Sequence, residues 1–292
     1  MPDSPLIGPV DAPGLHVMSY NIRRRMQHAN SSHPDRWEQR GALVQRLLRA
    51  EHPALLGVQE AMPDQAEALS AGLGDRYRRL GYGRRPEKNG EGCPIYYDTR
   101  RLTLISWEQV ALSATPGVPG SRSYGNLVPR IAVTALLRDR ATDLEFLFVN
   151  THLDHLSHKA RMRSADQIRT LVAESGRPAL VTGDFNADAG TVVQGRFTAG
   201  GLLRDSWTGS EKRLTRPWGT FPNYAPPRVG RKRIDWILAT AGITVRAAAI
   251  NISRIDGLWP SDHVPVQAVV ELPTQPLELR PSVSAAVGEV AA

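Results

Sequence analysis

Several acids, amides and histidines of this 292-residue chain stand directly after short apolar runs. Asn21 follows VMSY, Glu60 follows ALLGVQ, His152 follows LEFLFVNT, and Asp184 and Asn186 follow ALVTG. Asp235 lies inside RIDWIL, and Asp262 and His263 precede VPVQAVV. Such runs read as strands, and in α/β proteins sites gather where strand ends meet. Taken singly, each of these residues is more often a turn residue or a cap, because Asp and Asn bond their own backbone there. Taken together they imply a cation, since a fold cannot cheaply crowd carboxylates without one. The donors are mostly oxygen with imidazole added, which suits a hard ion such as Mg²⁺ or Mn²⁺. Glu60 and Asp262 are the candidate ligands, with Asn21 beside them.

The elements that must carry these residues are legible from pattern. Strands are expected at Val17–Ile22, Ala54–Gln59, 77–83, 94–98, 102–112, 130–137, 144–150, Ala179–Thr182, Arg233–Leu238, 243–252 and Val264–Glu271. Asp35 with Glu38 has capping-box spacing for a helix that carries Leu43, Leu47 and Leu48 and stops at Pro53. Pro63–Leu73 suits a second helix with proline at its start. A third, His158–Glu174, has Ala165, Ile168, Leu171 and Val172 on one face and Gly176 as its stop. Residues 114–129 read as a Gly- and Pro-punctuated loop. In RIDWIL, Ile234, Trp236 and Leu238 should face one way and Asp235 the other. Strands dominate and both βαβ and ββ steps occur, which suits an α/β (α+β) fold of two packed sheets with helices outside.

Composition bounds the reading. The chain is 41% hydrophobic and 22% charged, which is ordinary globular material. One cysteine, Cys93, excludes an intrachain disulfide and a Cys-rich zinc module. No membrane span and no secretory signal are read, so a cytoplasmic protein is expected, with a monomer as the default. Residues 1–14 are expected to be a flexible N-terminus, 15–272 one domain, and 273–292 a disordered tail. The net charge is +7, and 208–233 concentrates it: Lys212, Arg213, Arg216, Arg228, Arg231, Lys232 and Arg233 stand against Glu211 alone. A second cluster is Arg76, Arg78, Arg79, Arg84 and Arg85. Such clusters are either a solvated surface or an attraction for an anionic substrate.

The runs SYNI (19–22), QE (59–60), NTHLDH (150–155), GDFNA (183–187), RIDWIL (233–238) and SDH (261–263) come in the order seen in the endonuclease/exonuclease/phosphatase superfamily. The chain resembles that family over about residues 15–271, most closely the NTHLDH-bearing bacterial members and the deadenylase-like branch. The resemblance implies a DNase I-like four-layer sandwich, two packed mixed β-sheets flanked by helices. It further implies a Mg²⁺- or Mn²⁺-dependent hydrolase that attacks a phosphate ester in line with water. By position, Glu60 resembles the metal carboxylate and Asn21 a metal- or phosphate-shell amide. Asp184 resembles the base that orients or deprotonates water, with Asn186 beside it. His263 resembles the histidine on the scissile phosphate, Asp235 its carboxylate partner, and Asp262 the acid next to it near the metal. His152 resembles a second phosphate-facing histidine, and Glu91, in EGCPIYY, is placed to pair with it.

Other residues stay open at this level. His152, His155 and His158 have a spacing that could suggest zinc, but the first histidine of the metallo-β-lactamase pattern is missing; His155 and His158 otherwise read as loop and helix start. Asp154 is either a helix cap or a substrate contact, and Arg130 either touches phosphate or forms a plain salt bridge. The substrate is phosphorylated, a phosphodiester or a phosphomonoester. An alternative is a nuclease holding DNA or RNA through 208–233, where Trp218, Phe221 and Tyr224 interleave with the arginines; Trp218 and Tyr224 are the candidate contacts. A more distant alternative is a nucleic-acid- or lipid-binding member without turnover.

Overall fold

The computed structural model describes residues 4–27 and 33–273. Its strands in chain order are β1 Leu15–Asn21, β2 Leu55–Gln59, β3 Tyr77–Leu80, β4 Ile95–Asp98, β5 Leu102–Ala111, β6 Ile131–Asp139 and β7 Glu145–His152. They continue with β8 Ala179–Asp184, β9 Leu203–Asp205, β10 Lys212–Arg213, β11 Asp235–Thr240, β12 Thr244–Ile250 and β13 Val266–Glu271. The helices are α1 Trp37–Glu51, α2 Pro63–Leu73, α3 His158–Ser175, α4 Val192–Thr198 and the single turn α5 Ser206–Gly209. One sheet has the order β10-β12-β13-β1-β2-β4-β3 and the other β5-β6-β7-β8-β11-β9. Both are mixed: β1 runs parallel to β2 and β7 to β8, while β13 and β11 pair antiparallel.

The sheets are buried on both faces, so four layers follow. Leu43, Val44 and Leu47 of α1 and Leu69 of α2 pack on Met18, Tyr20, Leu56 and Val58. On the far side, Ala165, Ile168 and Val172 of α3 and Phe197 of α4 pack on Val149, Val181, Trp236 and Leu238. This is the four-layer sandwich that the motifs imply.

The facing surfaces of the two sheets are graded along the strands. Residues alternate sides with period two, so Leu15, Val17, Leu55, Phe146, Phe148, Leu180, Ile237 and Ala239 share the dry core between the sheets. One step further along the same faces come Ser19, Gln59, Asn150 and Thr182, all buried. The last step is Asn21, His152, Asp184 and Asp235. Asn150 ties the middle layer together. Its Nδ2 donates to the carbonyls of Val58 (2.8 Å), Cys93 (3.0 Å) and Pro94 (3.1 Å), and its Oδ1 accepts from Gln59 Nε2 (2.7 Å) and Thr182 Oγ1 (3.1 Å). Gly57 sits where any side chain would collide, a Cβ there falling 2.3 Å from Thr182 Oγ1.

Several elements differ from expectation. The N-cap of α1 is Arg36, which makes no side-chain cap hydrogen bond, and Asp35 binds Tyr224 and Arg23. Ile234 lies before β11 and lines a cavity, while Trp236 and Leu238 do face away from Asp235. The short pieces α4, β9, α5 and β10 carry too few residues to show a period. The segment 1–14, expected to be flexible, is tethered over its described part: Leu6, Ile7 and Gly8 amides donate to the Glu51 carboxylate at 2.7, 3.1 and 3.2 Å. The expected tail lies, from residue 274, outside the described residues. Among the described residues no helix is long and apolar enough to cross a membrane.

Asn150→Leu removes an amide that serves both sheets and leaves buried donors and acceptors unmatched. A loss of about 3 kcal/mol is expected, read from urea melts; a loss below about 1 kcal/mol would show that the amide layer does not hold the sheets.

Candidate active site

Strand register brings the ionic layer together. Asn21 ends β1, and Glu60 follows β2 with a left-handed φ of 62°. His152 and Asp184 pair across the parallel strands β7 and β8, and Asp184 pairs with Asp235 across β8 and β11. Asp262 and His263 arrive on the turn before β13. All open onto, or lie directly behind, one cavity of about 350 Å³. Glu60, His152, Asp184, Asn186, Asp262 and His263 line it, and Asn21 and Asp235 support them from behind.

Asn21 Nδ2 donates to Glu60 Oε1 (3.1 Å) and Asp184 Oδ2 (3.0 Å). Its Oδ1 accepts the Arg23 amide at 2.9 Å, so as placed Asn21 holds the acids as a donor. Asp184 Oδ1 accepts the Asn186 amide at 2.9 Å. Its Oδ2 lies 3.5 Å from His152 Nε2 and 3.7 Å from His263 Nε2. His263 Nδ1 meets Asp235 Oδ2 at 2.9 Å. Asn186 Nδ2 is 3.0 Å from both His152 Nε2 and the Leu153 carbonyl, which makes Nε2 an acceptor and leaves the ring proton on Nδ1.

The two histidines carry different charge. Burial works against the His263 cation, but Asp235 and Asp184 outweigh it and push its pKa up to about 10. Burial, then Arg130 and Arg84, hold His152 well below the ordinary histidine range, so it is neutral. Burial and the neighbouring Asp235 push Asp184 up to about 7. Burial also raises Asp262. For Glu60 burial acts upward, yet the Arg24 amide, His263 and Asn21 bring the carboxyl below its ordinary value.

This donor set fits a divalent cation. Glu60, His152 and Asp184 each offer a ligand atom within 4.8 Å of the others, as do Asp184, Asp235 and His263. Asp235 Oδ1 is buried with no hydrogen-bond partner among the described residues, and a cation would relieve the crowding of the raised acids. Of the expected ligands, Glu60 belongs to the first group and Asn21 donates to it. Asp262 turns its carboxylate to Arg23 Nε at 3.5 Å and Ser261 Oγ at 3.2 Å, and stands outside both groups.

Other expectations are redistributed. Arg130 lines the cavity and Asp154 anchors it, Nε to Oδ2 3.4 Å; Asp154 also accepts the Leu156 and Ser157 amides. Glu91 lines the cavity but pairs with Arg84 (2.9 Å) and Arg24 (3.2 Å) rather than with His152. Trp218 and Tyr224 do not line it: Trp218 packs under Arg216, and Tyr224 donates to Asp35 at 2.8 Å. Phe221 is the aromatic residue of 208–233 that does, its ring 4.8 Å from that of His263. None of the seven basic side chains of 208–233 lines the cavity. Arg233 pairs with Asp205, Arg213 stacks on Trp207 and Lys212 sits on the edge strand β10. The cations there are Arg23, Arg24, Arg84 and Arg130. Of these, Arg23 and Arg24 had no signal beyond adjacency to SYNI.

Asp184 gives a pH signature to the metal-free protein. Its folded pKa of about 7 lies above the ordinary 3.8, so the folded state keeps a proton that the unfolded state releases. Stability from this group therefore falls as pH rises from about 4 to about 7 and is level beyond. In EDTA, Asp184→Asn is expected to melt above the parent, the gap opening over that window; parallel melting curves would contradict the shift.

A family model described as "Endonuclease/Exonuclease/phosphatase family" matches residues 18–263. A crystal structure of an endonuclease/exonuclease/phosphatase family protein from Bacteroides thetaiotaomicron is 31% identical, with a TM-score of 0.82 and coverage of 89% of this chain and 98% of that one. A mannosyl-6-phosphatase of the same organism is also 31% identical, with a TM-score of 0.81 and coverage of 88% and 99%. Nocturnin of Xenopus laevis is 24% identical over 255 residues, 82% of this chain. The chain spans 58% of that curated relative's length.

Proposed function

This chain belongs to the endonuclease/exonuclease/phosphatase family, and on that premise we propose that it is a divalent-metal-dependent phosphoesterase. The observation that carries the reading is the convergence of Glu60, Asp184, Asp235 and His263 on one small cavity from four separate strand ends. Each partner in that convergence has a chemical use, and a purely structural site would have no need for so costly a set.

Glu60 and Asp184, with His152 at their side, would hold Mg²⁺ or Mn²⁺. A bound divalent ion supplies charge that polarises a phosphoryl oxygen and neutralises what builds on it. Asp184 orients water and takes its proton as the water oxygen bonds to phosphorus and the P–O ester bond breaks; the leaving oxygen takes a proton from solvent, and Asp184 gives its own back to solvent. Asn186 and Asn21 each donate to one of its oxygens and fix the carboxylate, and each oxygen keeps a second lone pair. His263, cationic through Asp235, presents Nε2–H to the phosphoryl oxygens, where negative charge grows in the transition state. His152, neutral, accepts from Asn186 Nδ2 and holds that side chain beside Asp184. Asp262 acts through Arg23 rather than on the substrate.

The substrate is a phosphate ester small enough for the cavity to hold its phosphoryl end, with Phe221, Val128 and Ile234 as the apolar walls. None of the basic side chains of 208–233 lines the cavity, and Arg213, Arg216 and Arg233 are engaged by Trp207, Trp218 and Asp205, which favours a compact substrate over a long nucleic acid held there. In this reading the enzyme works in the cytoplasm, in keeping with a single, buried cysteine, Cys93.

Asp184→Ala and His263→Ala should each lower kcat/KM for a cleaved phosphate ester by at least ~100-fold, as loss of an acid–base or electrostatic group does. EDTA should abolish turnover, and Mg²⁺ or Mn²⁺ should restore it. Parent-like rates in both variants, or full activity in EDTA, would refute the mechanism.

A further inference from the structure

The acids and His263 of the cavity are used by the reaction above; its basic wall is not. That wall comprises Arg24, Arg84, Glu91, Val128, Arg130 and His155 among the lining residues. Glu91 is shared between Arg84 and Arg24. Arg130 is only 3% exposed. Its Nε reaches Asp154 at 3.4 Å and one terminal nitrogen reaches His155 Nδ1 at 3.0 Å, while the other, Nη1, has no partner among the described residues. A buried guanidinium nitrogen left without an acceptor is costly and calls for an explanation. Here the nitrogen belongs to a residue that lines the cavity. Arg84 lies close enough that Arg130, after burial itself, helps to hold its pKa below the ordinary value. Three guanidinium groups thus line this wall with one carboxylate, Glu91, which pairs with two of them, while Asp154 pairs with Arg130.

We propose that this wall is a subsite for the second negative charge of a phosphomonoester, with Arg130 as the specificity-determining residue. The inference rests on the phosphoesterase reading and narrows it to a phosphatase acting on terminal phosphates. A diester phosphoryl group carries one charge on two free oxygens. A monoester at neutral pH carries two charges on three oxygens. Glu60, Asp184 and His263 address the oxygens at the acidic end; the third oxygen of a monoester meets Arg130 Nη1, with the guanidinium fork suited to phosphoryl geometry. In a diester that place is taken by an uncharged ester oxygen and its substituent, which leaves Nη1 unpaired and must fit against Val128. Hydrolysis takes one water and yields an alcohol and inorganic phosphate, with no other reactant.

The test measures binding and turnover in parallel. Calorimetry with inorganic phosphate and with diethyl phosphate, in Mg²⁺, compares the parent, Arg130→Met and Arg130→Lys. Hydrolysis of p-nitrophenyl phosphate and bis-p-nitrophenyl phosphate is measured on the same proteins. The parent should bind phosphate at least ~10-fold tighter than diethyl phosphate, and Arg130→Met should reduce that ratio by ~10- to 100-fold, the worth of a charged hydrogen bond. The monoester-to-diester ratio of kcat/KM should fall in step, and Arg130→Lys should recover part of both. If Arg130→Met melts early, Arg84→Met on the same wall carries the comparison. Equal losses on both ligands, or a parent that prefers the diester, would overturn the subsite while leaving the phosphoesterase reading intact. Phosphate preference without turnover of either ester would uphold the subsite and overturn that reading.

Discussion

Two sheets pack face to face because their inner surfaces are dry, and this molecule departs from that rule at one end of the seam only. The period of two along each strand makes the departure orderly. On β7 the inward positions run Phe146, Phe148, Asn150, His152; on β8 they run Leu180, Thr182, Asp184; on β1 they run Leu15, Val17, Ser19, Asn21. Apolar contact gives way to neutral hydrogen bonding and then to charge, at nearly the same depth on every strand. The amide and hydroxyl layer is what permits the change. Charged groups placed directly on the apolar layer would have no donors behind them and would be strongly penalised. With Asn150 and Gln59 beneath, hydrogen-bonding side chains stand between the apolar core and the floor of the cavity.

The same constraint decides the electrostatics. Asp184 is flanked by two histidines at similar distances, 3.5 and 3.7 Å, and sequence identity alone would make them equivalent. Their second partners separate them. Asp235 stands behind His263 and supplies a negative charge, while Asn186 stands by His152 and supplies a donor, with Arg130 and Arg84 adding like charge nearby. One imidazole is therefore a cation and the other a neutral acceptor. An arrangement with two cationic rings would compete with a divalent ion, and one with two neutral rings would leave the growing charge on phosphorus less well met.

The layered origin of the site explains what could be read in the chain. Residues that end apolar runs are conspicuous because the pattern breaks there, so Asn21, Glu60, His152, Asp184 and Asp235 stood out and do converge. The middle layer was not conspicuous: Ser19, Gln59, Asn150 and Thr182 look like ordinary strand residues unless the partner strand is known. Loop residues were harder still. Trp218, Phe221 and Tyr224 occur within seven positions, yet only Phe221 reaches the cavity, because the chain's left-handed turn at Asn223 and Tyr224 sends Tyr224 to Asp35. The basic density of 208–233 proved a poor guide for the same reason. A guanidinium's partner is set by folding, and Asp205, Trp207 and Trp218 engage Arg233, Arg213 and Arg216 away from the cavity. Asp35 shows the converse, a spacing suited to a cap whose carboxylate is drawn to stronger, cationic partners.

Arg40 shows how the loop residues nonetheless acquire fixed positions. Its side chain is 1% exposed, on the inner face of α1. It donates to the carbonyls of Ile22 (2.8 Å), Pro260 (3.2 Å) and Arg23 (3.2 Å), and pairs with Asp35 at 3.2 Å. Those carbonyls belong to the two loops that leave β1 and enter β13, which carry Arg23 and Arg24 on one side and Asp262 and His263 on the other. A backbone carbonyl can accept from any donor, so the pairing of these loops leaves no sequence motif. Yet one buried guanidinium couples them, and through them couples an outer helix to the charged end of the seam. The strands fix the acids by register; the cations that face them are fixed by a second device, a charged side chain that satisfies main-chain oxygens which the sheets leave unpaired.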